Sequence, residues 1–235
     1  MRILLIFLFI IISYQSNAQY QSREVAQRYA GISYSLVFFT NPDVNKIYPT
    51  IDLNRSGLLS EVNGFFGYRI NKYFAAEISP SFLFAKTNQG LNGFWFGGNS
   101  QRFWYVPQDA SLFALGLNLK ARMYPFASNS SNVLRDFYLS IGGGMMYFKE
   151  QYTNYLYNDS SYNAYVLSIR DDKNSVWAPN ISFSLGYSSD NNFGYGFDVA
   201  YRIVPLPINR NTVLSTSNAG NFSSLNISAK ILFNL

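Results

Sequence analysis

Residues Leu225, Ile227, Ala229, Ile231, Phe233 and Leu235 are all apolar, and Asn226, Ser228, Lys230 and Asn234 sit between them. Side chains two residues apart on an extended chain share a face. This stretch therefore reads as a β-strand with one continuous apolar face. The rhythm recurs about eight times. No apolar face carries a Lys or Arg within its strand, although the chain holds 18 basic and 13 acidic residues. A cation at mid-bilayer on the lipid face of a strand costs roughly 2–4 kcal/mol. An uncharged apolar face on every strand points to lipid outside the sheet.

The expected strands and their outward residues follow from this alternation. Ala30 to Phe39 points Ile32, Tyr34, Leu36 and Phe38 outward, and Leu58 to Ile70 points Val62, Gly64, Phe66 and Tyr68 outward. Tyr73 to Ala85 presents Phe74, Ala76, Ile78, Phe82 and Phe84, with Pro80 predicting a bulge or kink because it cannot donate to a ladder. Ala110 to Tyr124 presents Phe113, Leu115, Leu117, Leu119, Ala121 and Met123. Phe137 to Phe148 presents Phe137, Leu139, Ile141, Met145 and Tyr147. Val176 to Tyr187 presents Trp177, Ile181, Phe183, Leu185 and Tyr187. Phe193 to Val204 presents Phe193, Tyr195, Phe197, Val199, Tyr201 and Ile203, and Phe222 to Leu235 closes the series.

The connections alternate in length. Asn71-Lys72, Pro125 to Arg135 and Ser188 to Asn192 are short. Thr40 to Gly57, Lys86 to Asp109, Lys149 to Ser175 and Pro205 to Asn221 are long. The expected fold is an all-β, eight-stranded, antiparallel, up-and-down transmembrane β-barrel with short periplasmic turns and long extracellular loops. Ten strands result if the second or third loop holds a further hairpin. A soluble barrel or β-sandwich needs a charged outer face, and the polar face here is mostly Gly, Ser, Asn and Ala.

Arg2, the apolar run Ile3 to Ile12 and the small residues Ser16-Asn17-Ala18 form a signal-peptide pattern, with cleavage expected after Ala18 and residues 19–235 as one domain. The run is about half of the ~20 residues that a spanning helix needs. Cysteine and histidine are both absent. That removes disulfides, thiol catalysis, the commonest general base and the commonest metal ligand. Charged residues make up 13% of the chain and aromatic residues 18%, against about 25% charged in soluble domains. The net charge of +5 is scattered, so no nucleic-acid surface is expected, and anionic lipopolysaccharide is the more economical partner.

The ending Ser16-Asn17-Ala18-Gln19, the hairpin from Gly64 to Phe74 and the segment Phe137 to Gly144 resemble the small outer-membrane β-barrel family, the OmpA/OmpX-like and "porin family" barrels of Gram-negative bacteria. The resemblance spans residues 19–235 and implies an outer-membrane location. It implies folding by periplasmic chaperones and the barrel assembly machinery, with Ile231, Phe233 and Leu235 as the assembly signal. The last residue is Leu where the family has Phe. The resemblance names no cofactor, and the family spans adhesins, anchors and narrow pores.

Two constellations are candidate sites. Glu61, Glu77, Lys120, Arg122, Asp198, Arg202 and Lys230 share lumen parity. They can form an ion-pair network that plugs the barrel, with Glu61 and Glu77 expected to pair with Lys120 and Arg122, or they can line a narrow diffusion channel. The loops carry aromatics at Trp95, Phe96, Trp104, Tyr105, Tyr155 and Tyr157, with Tyr152, Tyr162 and Tyr165 nearby. These suit either surface recognition or packing in the interfacial belt. Asp171-Asp172 is a weak calcium pattern, and Gly142-Gly143-Gly144 fits barrel crowding. The expected role is non-enzymatic, structural or surface-interacting. A lipid-modifying enzyme is the remaining alternative, disfavoured because such barrels use His.

Overall fold

The computed structural model describes residues 28–52, 57–86, 94–96, 103–129, 131–157, 166–189, 193–206 and 221–235. The signal-peptide pattern lies outside the described residues. Eight long strands form the wall: β1 (Arg28–Phe39), β2 (Ser60–Arg69), β3 (Phe74–Lys86), β4 (Phe103–Met123), β5 (Phe137–Tyr157), β6 (Val166–Ser188), β7 (Phe193–Ile203) and β8 (Ser224–Asn234). Each pairs antiparallel with its neighbours in sequence. The β1–β8 ladder, from Tyr29↔Asn234 to Phe39↔Ser224, closes the barrel. Closure leaves no free edge within the wall, as lipid demands of a spanning sheet.

Alternation sorts the side chains as the period dictates. Along β3, Ala75, Glu77, Ser79, Ser81 and Leu83 are buried in the lumen, while Ala76, Ile78, Phe82 and Phe84 are exposed. The outer wall presents a continuous apolar band, from Ile32 and Phe66 through Leu117 and Ile141 to Phe183, Phe197 and Ile231. Two aromatic girdles bound it. On the loop side Trp177 is 62% exposed and packs on Tyr147 at 5.0 Å, and Phe82 meets Phe113 edge-on at 5.4 Å. On the turn side Tyr187 lies near Tyr195 and Phe193 packs on Phe233. Ten residue steps of β6 separate Trp177 from Tyr187. At ~3.4 Å per step and a tilt of about 40°, this gives roughly the 25 Å height of an outer-membrane apolar band.

Three expectations about the strands need correction. Pro80 produces no bulge: Pro80↔Leu117 stays in register with β4, and the β2–β3 ladder lapses only between Asn63↔Ser81 and Phe66↔Ile78 before resuming in the same register. A missing N–H costs a ladder bond, not the alignment. The third loop is largely ladder, because β5 and β6 continue pairing from Lys149↔Ser175 to Tyr157↔Val166. Above the membrane, polar strands satisfy their backbone on each other, so an apolar face is no guide to where they end. β4 likewise starts at Phe103, and a bulge between Gln108 and Ser111 marks its departure from the wall. Phe94–Phe96 pairs with Phe103–Tyr105, giving a β-ribbon above the barrel, while the wall keeps eight strands.

On the turn side, the Asn71 side chain accepts bonds from the N–H groups of Tyr73 and Phe74 at 2.8 and 2.9 Å, an Asx-type turn that explains the tight β2–β3 hairpin. The Leu235 N–H donates to the Arg28 carbonyl at 2.8 Å, placing the start of β1 and the end of β8 side by side. On the loop side, a short helix at Pro42–Ile47 and a two-residue ladder between Ile51–Asp52 and Gly57–Leu58 fold the first connection over the mouth.

Candidate functional site

The lumen is filled in three layers. The turn-side layer gathers Tyr29, Phe65, Ala75, Tyr124, Tyr138 and Leu232. The guanidinium of Arg122, 2% exposed, lies 4.5 Å from the centre of the Tyr138 ring and 5.3 Å from that of Tyr29. A buried cation gains from such aromatic faces when water is excluded.

The middle layer is ionic. Glu77 and Lys120 face each other across the β3–β4 ladder, with Arg122 opposite Ala75. Arg122 pairs directly with Glu77, and Lys120 approaches the same carboxylate at 3.6 Å. On the far wall, Lys230 Nζ contacts Asp198 at 2.7 Å and donates to the Tyr138 hydroxyl at 2.9 Å. That hydroxyl donates in turn to Asp198 at 3.2 Å. Arg202 grips Glu61 through two hydrogen bonds at 3.0 and 2.7 Å. The seven charged side chains therefore form three clusters. Glu61 partners Arg202 rather than Lys120 or Arg122: β2 and β7 face each other across the lumen, which parity along a strand cannot reveal. Between the clusters lies a polar chamber of about 40 Å³, bordered by Ser33, Ser35, Asn118, Ser182 and Asn226. At ~10–15 Å³ each, it holds a few waters at most.

The loop-side layer is apolar. Val37, Phe39, Leu83, Leu112, Met146, Phe148 and Phe222 turn inward, with Phe148 stacked on Phe222 at 4.6 Å. Val44 and Tyr48 of the first connection insert among them. Tyr48 donates a 2.6 Å hydrogen bond to Glu150, which is fully buried. A lumen face read as polar throughout predicts neither this layer nor the buried Glu150. The signal was present where alternation breaks down, at Leu36-Val37-Phe38-Phe39, Phe82-Leu83-Phe84 and Leu112-Phe113-Ala114-Leu115, where both faces are apolar.

Gly142 and Gly144 make room for this interior. A β-carbon on Gly142 would lie 2.7 Å from Lys120 Cγ, and one on Gly144 would meet the Leu117 carbonyl, whereas one on the outward Gly143 meets nothing closer than 3.5 Å.

For the loop aromatics, the structure places Trp95 opposite Trp104, Trp104 opposite Tyr157 and Tyr105 opposite Leu156, with Phe96 opposite Phe103. The side chains of Trp95, Phe96, Trp104, Tyr105 and Tyr152 lie outside the described residues, as do Tyr162 and Tyr165, while Tyr155 and Tyr157 are half-buried. Asp171 is exposed and accepts a 2.8 Å bond from Thr153. Among the described residues no three metal-ligating side chains converge. Ile231, Phe233 and Leu235 face outward.

No family model matches the chain, and no curated protein matches it. Among solved structures it is similar to Ail, the attachment invasion locus protein of Yersinia pestis, at 13% identity over 88% of this chain and 97% of that one, with a TM-score of 0.42. Neisserial surface protein A aligns at 10% identity over 88% and 97%, with a TM-score of 0.45. The N-terminal β-barrel domain of Pseudomonas aeruginosa OprF aligns at 8% identity over 90% and 100%, with a TM-score of 0.38. The closed ladder, the uncharged apolar band and its two aromatic girdles make the chain an eight-stranded antiparallel β-barrel with an exterior suited to lipid.

Proposed function

We propose that the protein is a non-enzymatic outer-membrane barrel whose lumen is a structural plug and whose work is done by the β-ribbon and loops on the outer side. The observation that carries this reading is the order of the lumen layers. Any solute would have to pass the loop-side apolar cluster, the paired charges and the turn-side aromatic cluster in series. A buried ion pair needs excellent geometry and further hydrogen bonds to offset its desolvation; the Asp198–Lys230 pair has the further bonds through the Tyr138 hydroxyl, and Glu61–Arg202 has the two-pronged geometry. Lipopolysaccharide and outer-membrane lipid are the partners of the wall, and periplasmic chaperones and the assembly machinery are the partners in biogenesis. The polar chamber favours one second reading, a narrow pore opened by movement of the first connection. Planar-bilayer recording separates the two. The plugged barrel is silent at salt concentrations where open barrels give stable steps, and reproducible steps would favour the pore.

A further inference from the structure

A row of lysines crosses four neighbouring strands on the outer face, just beyond the loop-side aromatic girdle. Lys86 of β3 is opposite Ser111 of β4, Ser111 is opposite Gln151 of β5, and Gln151 is opposite Lys173 of β6. Lys149 sits two residues before Gln151, opposite Phe113 and Ser175. All three lysines are exposed and point away from the lumen. On their membrane side, on the same faces, stand Phe84, Phe113 and Tyr147 at the next outward position, with Trp177 one position further in on β6, beyond Ser175. Strands are ~4.8 Å apart, so three spacings from Lys86 to Lys173 put the row at about 14 Å wide, with Lys149 diagonal to Lys173.

This charge is one-sided. The loop-side ends of β7, β8 and β1 present Tyr201, Ile203, Leu225 and Phe38 at the outer face, with no Lys or Arg there among the described residues. Among the described side chains, one outward acid flanks the row. Asp171 lies two residues beyond Lys173, farther from the membrane, and accepts a hydrogen bond from Thr153.

We propose that Lys86, Lys149 and Lys173 form a binding face for the phosphorylated headgroup of an outer-leaflet glycolipid, seated against β3–β6. This rests on the reading of the chain as an outer-membrane barrel with its ribbon outside. The argument for lipid is position. Aromatic girdles sit at headgroup level, and cations directly beyond them meet the phosphate layer before they meet bulk water. Each lysine held near an anionic surface adds to the attraction. The width of the row suits a headgroup with more than one phosphate better than a single small ion.

The test uses the full-length protein folded in phosphatidylcholine nanodiscs doped with bis-phosphorylated or fully dephosphorylated lipid A, with retention read by native mass spectrometry. The wild type should retain the phosphorylated form selectively. The triple variant K86Q/K149Q/K173Q should lose at least about tenfold of that preference, while K72Q on the turn side should not. A triple variant that keeps its heat-dependent gel mobility and retains phosphorylated lipid A unchanged would overturn the lysine face and leave the barrel intact. Full competition by millimolar inorganic phosphate would overturn the lipid assignment in favour of a free-phosphate site. Absence of any heat-dependent mobility in the wild type would instead overturn the barrel reading beneath it.

Discussion

Arg202 of β7 reaches across the lumen and holds both carboxylate oxygens of Glu61 on β2, Nη1 to Oε1 at 3.0 Å and Nη2 to Oε2 at 2.7 Å. Both side chains are buried. Removing one partner strands a charge away from water, which typically costs about 3–5 kcal/mol, whereas replacing both by apolar residues of similar size is often neutral. Arg202→Ala should therefore destabilise the barrel strongly, and Glu61→Leu combined with Arg202→Met should restore most of the loss. Arg202→Lys should recover little, because an ammonium cannot reproduce the two-pronged grip. Equilibrium urea unfolding in detergent micelles measures all three. Equal losses for the single and double variants would contradict the pairing.

The Tyr48–Glu150 hydrogen bond fastens the first connection into the loop-side layer. Tyr48→Phe keeps the ring among Val44, Phe148 and Phe222 but takes the phenol from a buried carboxylate, at a cost of about 1–3 kcal/mol. That loss should be local. Amide exchange should accelerate at Asn45 and Tyr48, whose N–H groups donate to Asn41 and Val44 in the short helix. Exchange in the β1–β8 ladder should stay unchanged. Uniform acceleration in both places would mean that the connection and the wall unfold as one unit.

The glycine run on β5 provides a parity test within three residues. Gly142→Ala and Gly144→Ala push a methyl into Lys120, Ser182 or the Leu117 carbonyl and should each cost about 1–3 kcal/mol. Gly143→Ala places its methyl toward lipid and should change stability by less than about 0.5 kcal/mol. Thermal unfolding in micelles gives the comparison, and a Gly143 variant as damaged as its neighbours would contradict the assigned faces.

The wall was legible because a two-residue period is written directly into the side chains: Ile78, Phe82 and Leu117 could face only one way once Glu77 and Lys120 faced the other. The partners inside were not legible. Parity puts Glu61 and Arg202 in one lumen, but which charges meet depends on how eight tilted strands are staggered around a closed circuit. The apolar loop-side layer was obscured for a different reason. Val37, Leu83 and Phe148 lie beside outward apolar residues, so the runs that contain them resemble thickened lipid faces. The ribbon formed by the ends of β5 and β6 was hidden because Lys149 to Tyr157 and Val166 to Ser175 rise beyond the apolar band, where neither face must be greasy.

The most direct test uses the absence of cysteine from the chain. Single cysteines at each position from 225 to 233 on β8, spin-labelled in liposomes, report collisions with oxygen dissolved in lipid and with a water-soluble nickel chelate. A lipid-facing, plugged barrel predicts high oxygen access at 225, 227, 229, 231 and 233, and low access to both reagents at 226, 228 and 230. Nickel access at the even positions would show a water-filled lumen, and nickel access at the odd positions would show that the apolar face does not meet lipid at all.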